Sequence, residues 1–178
     1  MTANAKIIGF FGGGRPDSEG RYLRDLQTWP DDRLEMVHDF IQWMLPLMEP
    51  SLVNPAAPVL DAETIAEFRA APALQQALRK SWRRMLDFYG LEVLGQEVER
   101  GQDFGVKAQN WLHPGNHNHL RITRILKSLC LLGLEKEALA FFDCLQKLYD
   151  SERADTHSRI TERTFQFWQD AVRASRNT

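Results

Sequence analysis

Three histidines lie within seven residues of one another, at His113, His117 and His119. Imidazole is a common ligand of zinc, copper and nickel, and it also serves in acid–base chemistry. Pro114 and Gly115 interrupt any helix that would align the first two histidines, and residues two apart do not share a helix face. No cysteine or further ligand stands nearby in the sequence. We therefore favour a structural loop, with a metal site or an enzyme using these histidines as the alternative.

The helix that follows this loop is the next candidate, because it carries two arginines near its start. Asn116 or Asn118 is expected to cap it. Arg121 and Arg124 would then lie where a helix N-terminus attracts anions, and together they could bind one. The interpretation that we favour is that the two guanidinium groups anchor a central helix through buried ion pairs. If the chain has a binding site, Asn118, Arg121 and Arg124 are its first candidates.

A second candidate set lies on a helix that we predict over residues 31–45. His38 and Gln42 lie at one edge of its apolar face, and Asp39 and Trp43 lie at the other. A carboxylate beside an indole suits a ligand that has a cationic amine and aromatic rings. The interpretation that we favour is that Trp43 is a core residue at the boundary and that His38 is hydrogen-bonded to a loop carbonyl.

A basic cluster of four residues occupies six positions, at Arg79, Lys80, Arg83 and Arg84. It could contact the phosphates of a nucleic acid, which is a further alternative. No aromatic residue interleaves on that side, so a solvated helix face is favoured. The 22 basic residues against 24 acidic ones give a net charge of −2, which likewise does not indicate a nucleic-acid partner. No nucleophile or phosphate-loop motif is present, and we expect no catalysis and no cofactor.

The composition is that of an ordinary globular protein, with 178 residues, 43% hydrophobic and 26% charged. It excludes a disordered chain, collagen and a disulfide scaffold. Cys130 and Cys144 fall on apolar helix faces, where we expect buried thiols. The longest early apolar run, residues 7–11, is too short for a signal peptide or a membrane span. We therefore expect a cytoplasmic protein without membrane insertion.

Hydrophobic periodicity predicts an all-α class with about six or seven helices. These cover residues 31–45, 61–72, 73–89, 118–132, 135–149 and 157–174. Residues 6–10 form the one strand-like run. Residues 91–117 are irregular, and two short helices are expected among them, one ending near Trp111.

We predict one compact domain over residues 17–174, after a flexible segment, 1–16, and before a frayed tail, 175–178. The helix over residues 118–132 is expected to be buried at its centre, because Leu120 and Leu131 lie opposite its main apolar stripe. The helices expected to enclose it cover residues 31–45, 73–89, 135–149 and 157–174.

Several stretches of the chain are distinctive sequence motifs that follow one another in a fixed order. They are Gly20-Arg21 ahead of Trp29, residues 38–50 (HDFIQWMLPLMEP) followed by Val53-Asn54-Pro55, residues 85–90 (MLDFYG) and residues 116–129 (NHNHLRITRILKSL). Together they resemble the conserved region of the opioid growth factor receptor family, over about residues 17–150.

The resemblance implies a non-enzymatic binding domain whose ligand is a peptide or a protein. Animal members of the family are described as receptors for the pentapeptide methionine-enkephalin and are linked to the nucleus. The chain resembles a stand-alone, bacterial-type form of the domain, so a nuclear location is expected only if it follows the animal members. The family supplies no catalytic residues. We expect the ligand in a groove near the 31–45 helix and residues 110–124.

Overall fold

A computed structural model describes residues 3–153 and 158–176 of the chain. Ten α-helices, one short 3-10 helix and one two-stranded sheet occur in these residues, which confirms the predicted all-α class. The chain divides into two compact units. The first contains Met1–Arg84 and Leu131–Gly133, and the second contains Met85–Cys130 and Leu134–Thr178. The domain bounds 17–174 stay a prediction.

The first unit begins with a helix, α1, at Ala3–Phe11, so the strand that we predicted at residues 6–10 is wrong. A short apolar run has no periodicity that separates a strand from a buried helix. Ile7, Phe10 and Phe11 are all buried and have the spacing of one helix face. The predicted flexible segment, 1–16, is therefore helical over residues 3–11.

The helix that we predicted over residues 31–45 is interrupted. Two short helices replace it, α3 at Asp31–Met36 and α4 at Ile41–Met44, after α2 at Leu23–Leu26. Val37 is extended, with ψ at 131°. The Asp39 carbonyl, which a continuous helix would pair with a backbone N–H, instead accepts the side-chain amide of Asn54 at 2.6 Å.

The next two helices begin and end close to their predicted bounds. Helix α5, Ala62–Ala70, is capped by Asp61 as predicted, and the Asp61 carboxylate accepts the Thr64 N–H at 2.7 Å. Helix α6, Pro72–Phe88, buries Leu74, Leu78 and Trp82 as its periodicity predicts.

The second unit contains a hairpin that the sequence analysis missed. Strands β1, Leu91–Leu94, and β2, Glu97–Arg100, pair in antiparallel register with Leu91 opposite Arg100. Each strand has only four residues, so the alternation of side chains is too short to stand out. The expected short helices follow as α7, Phe104–Lys107, and a 3-10 helix, Ala108–Asn110, just before Trp111.

Helix α8, Asn118–Leu131, is buried over much of its surface, as predicted. Its apolar stripe is fully buried and consists of Ile122, Ile125, Leu126 and Leu129. Leu120, which we expected on a second apolar side, is exposed. The further buried positions are polar, and they are Asn118, His119, Arg121 and Ser128. The predicted enclosure of this helix by its neighbours stays a prediction.

Helix α9, Glu135–Arg153, confirms its predicted buried face in full. Helix α10, Glu162–Arg176, begins later than predicted, and residue 157 lies outside the described residues. Phe167, expected inside, is exposed, and Phe165 stacks on Tyr149 at 4.1 Å instead. The buried Ile160 precedes the helix and so does not define its face. Of the predicted frayed tail, residues 175–176 are helical and 177–178 lie outside the described part.

Two further features are the state of the cysteines and the character of the helices with respect to a membrane. Cys130 is half-buried, Cys144 is buried, and both are thiols, as predicted. In the described part of the chain, no helix combines the length and the apolar character that crossing a bilayer requires.

Candidate binding site

Asn116 organises the turn that leads into α8. Its Nδ2 donates to the Asn110 carbonyl at 2.9 Å and lies 2.7 Å from Nε2 of His113. Its Oδ1 accepts the backbone N–H of Asn118 at 2.8 Å, and its carbonyl accepts that of His119 at 3.1 Å. Asn116 is therefore the residue that caps the helix, which confirms the predicted capping role for this segment.

The first turn of α8 places a guanidinium group in a buried position. Arg121 is 6% exposed, and its Nη1 donates to Oδ1 of the fully buried Asn118 at 3.2 Å. Arg124 is half-buried on the next turn. A buried guanidinium group needs several acceptors, since an uncompensated charge in the interior costs several kcal/mol. Arg121 is therefore buried and Arg124 half-buried, and the buried ion pairs that we expected of them stay a prediction.

His119 lies between two buried tryptophans. Its ring centroid is 6.3 Å from Trp111 and 5.5 Å from Trp168, and both contacts are edge-to-face. Trp168 Nε1 donates to the His119 carbonyl at 3.0 Å. Burial lowers the pKa of the imidazole to about 4, although the backbone of Trp111 acts to raise it. His119 is therefore neutral near pH 7 and packs as an aromatic ring.

The three histidines do not form a metal site. His113 is exposed, whereas His119 is 4% exposed and is turned between the tryptophans. Among residues 3–153 and 158–176, no group of three or more His, Cys, Asp or Glu side chains is placed to hold a metal ion. The described residues therefore offer no metal-binding cluster at His113, His117 and His119, and the enzyme alternative for this segment stays a prediction.

The first unit holds an ion cluster that the sequence analysis did not select as a site. Arg21 Nε donates to Asp17 at 2.6 Å, and its Nη1 donates to Asp39 at 2.9 Å. The guanidinium lies 5.5 Å from the Trp29 ring. Burial acts to lower the pKa of Arg21, but the hydrogen bonds that its guanidinium donates to Asp39 and Asp17 outweigh burial and raise that pKa. The dipeptide Gly20-Arg21 ahead of Trp29 was the available signal.

The four predicted residues around α4 have different environments. The Asp39 carboxylate is bound by Arg21, and His38 is exposed. Gln42 is buried and, with its amide nitrogen facing them, donates to the carbonyls of Asp39 and His38 at 3.1 and 3.2 Å. Trp43 is buried against Phe10, with the ring centroids 5.2 Å apart, which confirms it as a core residue.

The helical spacing that we predicted within this set is wrong, because residues 37–40 are not helical. The structure brings His38, Asp39, Gln42 and Trp43 into the first unit, and it brings Asn118, Arg121 and Arg124 into the second.

One residue of the predicted basic face of α6, Arg84, does not point outward. Arg84 turns back onto its own unit, where it donates to the Trp29 carbonyl at 2.7 Å and to Asp31 at 2.6 Å. Lys80 and Arg83 are exposed, and Arg79 is half-buried. The prediction of an outward-facing group of four is therefore wrong for Arg84, and the surface available to a phosphate backbone is smaller than expected.

A small cavity lies between β2 and α9. It has a volume of about 240 Å³ and is lined by Val98, Glu99, Arg100, Cys144, Lys147 and Leu148. Burial raises the pKa of the Cys144 thiol to about 11, although Lys147 and Arg100 act in the opposite direction. Cys144 is thus protonated near neutral pH, and a protonated thiol is a poor nucleophile.

These features define an all-α protein whose buried polar side chains are used in caps, ion pairs and aromatic packing. The family model described as "Opioid growth factor receptor (OGFr) conserved region" matches residues 17–178. The chain belongs to this family.

Several curated relatives carry the family name. The chain is 42% identical to the opioid growth factor receptor of Homo sapiens over 122 residues, which are 65% of this chain and 18% of the relative. It is 44% identical to the receptor of Rattus norvegicus over 122 residues, 65% of this chain and 21% of the relative. It is 36% identical to opioid growth factor receptor-like protein 1 of Mus musculus over 126 residues, 68% of this chain and 26% of the relative.

The matches thus span only 18% to 26% of the length of these relatives. No solved structure matches the chain.

Proposed function

We propose that this chain is a non-enzymatic binding domain whose ligand is a peptide, or a short segment of a partner protein. The observation that carries the proposal is the interior Arg121, hydrogen-bonded to Asn118 at 3.2 Å in the first turn of α8. A guanidinium group in such a position, with Arg124 on the next turn, offers charge-assisted hydrogen bonds to a carboxylate. The names of the relatives, which are receptors, support a binding function.

The ligand chemistry follows from these groups. Arg121 and Arg124, with Asn118, are proposed to bind the C-terminal carboxylate of the peptide. The set His38, Asp39, Gln42 and Trp43 is a second candidate surface in the first unit, and there the exposed His38 and the Asp39 carboxylate are the groups within reach of a ligand. A methionine-enkephalin-like pentapeptide has both a free carboxylate and a cationic amine, and it is the first ligand to test.

The test is a calorimetric titration of the protein with methionine-enkephalin and, separately, with its C-terminal amide. The amide lacks the anionic group, so we expect it to bind about 10-fold or more weakly, the loss of a charged hydrogen bond. Arg124→Gln is expected to weaken binding of the acid form to a similar extent and to leave binding of the amide unchanged. Arg121→Gln is a second variant, with its folding checked by circular dichroism.

Arg83→Gln is the matched control, since this arginine is exposed on α6. It is expected to bind the peptide as the unchanged protein does. The absence of binding heat at high micromolar protein contradicts the peptide ligand. Equal affinity for the acid and the amide contradicts the role given to Arg121 and Arg124.

We also propose that the protein resides in the cytoplasm. Two cysteines that remain thiols are typical of a reducing compartment. Fractionation of the source cells with an antibody to the protein tests this, and recovery from a secreted or membrane fraction contradicts it.

A further inference from the structure

Strand β2 has an outer edge that pairs with no other strand in the described part of the chain. On its inner side it pairs with β1, and the Gly101 N–H donates to the Gly90 carbonyl at 2.8 Å. These two glycines are therefore a hydrogen-bonded pair of the antiparallel ladder. Hydrogen-bonded and non-hydrogen-bonded pairs alternate along such a ladder. Arg100 and Val98 are thus at non-hydrogen-bonded positions, where the backbone N–H and C=O groups point away from β1.

The outward backbone groups of Val98 and Arg100 make no hydrogen bond with any residue that the structure describes. Val98 is only 2% exposed, so its N–H and C=O are also largely removed from water. An unpaired backbone group away from water costs free energy comparable with a lost hydrogen bond. A strand edge with such groups is a template for pairing with another extended chain, which supplies donors and acceptors at the same spacing.

The cavity of about 240 Å³ lies along this edge. Val98, Glu99 and Arg100, three consecutive residues of β2, all line it. Consecutive side chains of a strand point to opposite faces of the sheet, so a cavity that touches all three lies beside the strand rather than over one face. The other wall is formed by three residues of α9, which are Cys144, Lys147 and Leu148. Strand addition at a free sheet edge is one of the recurrent ways in which domains bind peptides.

The cavity has an apolar floor that suits one large side chain. Val98, Cys144 and Leu148 are 2%, 4% and 1% exposed. An apolar cavity of about 150 Å³ holds one benzene molecule, so the larger cavity here accommodates one phenylalanine or leucine side chain. The exposed residues at the rim, Glu99 and Lys147 among them, carry charges of both signs. Shape and backbone pairing, rather than charge, therefore select the ligand.

We propose that β2 binds an extended segment of a partner protein as a third strand, in the groove between β2 and α9. The backbone of that segment pairs with the outward N–H and C=O groups of Val98 and Arg100. One apolar side chain of the segment fills the cavity beside Cys144 and Leu148. The segment needs no free terminus, and the groove uses none of the side chains proposed above for the peptide carboxylate. The inference therefore goes beyond the proposed function.

The test measures the fluorescence anisotropy of a labelled peptide of about seven residues, the length of an ordinary strand. The peptide has one central phenylalanine among threonines, and both of its ends are blocked. Two comparison peptides carry backbone N-methyl groups, one on the odd residues and one on the even residues. Alternate residues of a strand face the same edge, so only one of these peptides loses the donors that face β2.

We expect that peptide to bind about 10-fold or more weakly, and the other to bind as the unmodified peptide does. Equal binding by all three peptides, or an equal loss with both N-methylated peptides, overturns strand addition.

Arg100→Pro removes an outward N–H of β2, and Arg100→Ala is its matched control. Proline is tolerated in a strand where its missing N–H is not part of the ladder. Both variants lose the arginine contacts with Phe104 and Ser151, so the difference between them isolates the N–H. We expect Arg100→Pro to bind the peptide about 10-fold or more weakly than Arg100→Ala. Equal affinities of two folded variants, checked by circular dichroism, overturn the proposal. If Arg100→Pro does not fold, the N-methylated peptides decide.

Cys144 reports on the cavity, with Cys130 as the internal control. We expect a saturating concentration of the peptide to slow the reaction of Cys144 with a disulfide reagent about 10-fold or more, and to leave Cys130 unchanged. A peptide with alanine in place of phenylalanine is expected to bind more weakly, because it leaves the cavity unfilled. A Cys144 rate that the bound peptide does not change overturns the role of the cavity.

Two more outcomes separate this groove from other functions. Arg124→Gln is expected to bind the blocked peptide as the unchanged protein does, and a loss there shows that the peptide binds at α8 and overturns a separate groove. Light scattering that shows a dimer with Arg100→Ala but not with Arg100→Pro indicates that the edge pairs with a second copy, which overturns the partner segment. A failure of methionine-enkephalin to bind contradicts only the proposed function, since the blocked peptide has no free carboxylate.

Discussion

The imidazole of His119 lies edge-on between Trp111 and Trp168, with interplanar angles of 83° and 85°. Neither of its ring nitrogens meets a hydrogen-bond partner in good geometry among the residues that the structure describes. Trp168 Nε1 donates to the carbonyl of the same residue, which joins α10 to the start of α8. A neutral, buried histidine therefore takes the place that an aromatic residue has in other cores.

This environment predicts a pH dependence of stability. The pKa of His119 is lowered to about 4 in the folded chain, and an unfolded histidine titrates near 6.5. Between these values the unfolded state binds the proton and the folded state does not, so the free energy of unfolding falls as the pH falls. We expect His119→Phe to remove this contribution, about 3 kcal/mol between about pH 7 and pH 4.

Urea unfolding of the unchanged protein and of His119→Phe, at a series of pH values, measures this contribution to the free energy of unfolding. The carboxylates contribute equally to both proteins, so the difference between the two curves isolates His119. Parallel curves would show that the imidazole is solvated in the folded state.

The Arg21 cluster predicts a strong effect of one substitution. Arg21→Met leaves the Asp17 carboxylate, which is fully buried, without its guanidinium partner. We expect a loss of about 3 kcal/mol in the free energy of unfolding, since removing one member of a buried pair leaves an uncompensated charge. Adding Asp17→Asn should recover part of this loss, which a double-mutant cycle measures.

Arg24→Met is the control for that experiment. Arg24 is 65% exposed, and its nearest carboxylate is 3.8 Å away on Asp25. Surface pairs of this kind contribute less than about 1 kcal/mol. Equal effects of the Arg21 and Arg24 substitutions would contradict the interior role of Arg21.

Two glycines give a matched pair for backbone strain. Gly90 and Gly95 both have positive φ, at 76° and 63°. A Cβ on Gly90 would meet the Phe104 Cα at 2.8 Å, and a Cβ on Gly95 would meet no atom of the described residues within 4 Å. Gly95→Ala is expected to lose about 1 kcal/mol from the left-handed backbone alone. Gly90→Ala should lose about 3 kcal/mol, because the contact forces a backbone shift as well.

Thermal unfolding of both variants measures the difference. If Gly90→Ala is no more destabilising than Gly95→Ala, then α7 does not pack against the end of α6 as closely as these distances indicate.

The two thiols are expected to react at different rates. Burial raises the pKa of Cys144 to about 11, and Cys130 is only half-buried. The thiolate is the reactive form, so a disulfide reagent at about pH 8 should modify Cys130 at least about 10-fold faster. Cys130→Ala and Cys144→Ala assign the two phases. Modification of both thiols at one rate in the folded protein would contradict the burial of Cys144.

The long helices of the second unit could be predicted from the sequence because each has a regular apolar stripe. Helices α8 and α9 begin and end within a few residues of their predicted bounds, and the stripe from Ile122 to Leu129 is buried as expected. When an apolar pattern repeats over about four turns, only one rotational orientation of the helix buries the whole stripe. Arg121 is also buried on α8, although the exposed Leu120 shows that this helix is not apolar on two sides as the sequence analysis expected.

The shorter elements could not be predicted because they are too short to show a periodic pattern and because each depends on a contact with another part of the chain. The break after α3 depends on Asn54, fifteen positions from Asp39, which binds the carbonyl that a helix would have used. The strands β1 and β2 are stabilised by each other, and α1 is helical because its aromatic residues pack on α5.

The candidate site, like the fold, was predictable from the sequence only in part. The sequence by itself determined the helical class and the family, and it placed Asn118, Arg121 and Arg124 on one helix, because residue type and periodicity act along a single element. Only the tertiary structure decided that Arg21 takes the carboxylate of Asp39 and that His119 is enclosed by two tryptophans. The physical reason is that ion pairing, desolvation and burial depend on atoms that come together in space from distant parts of the chain.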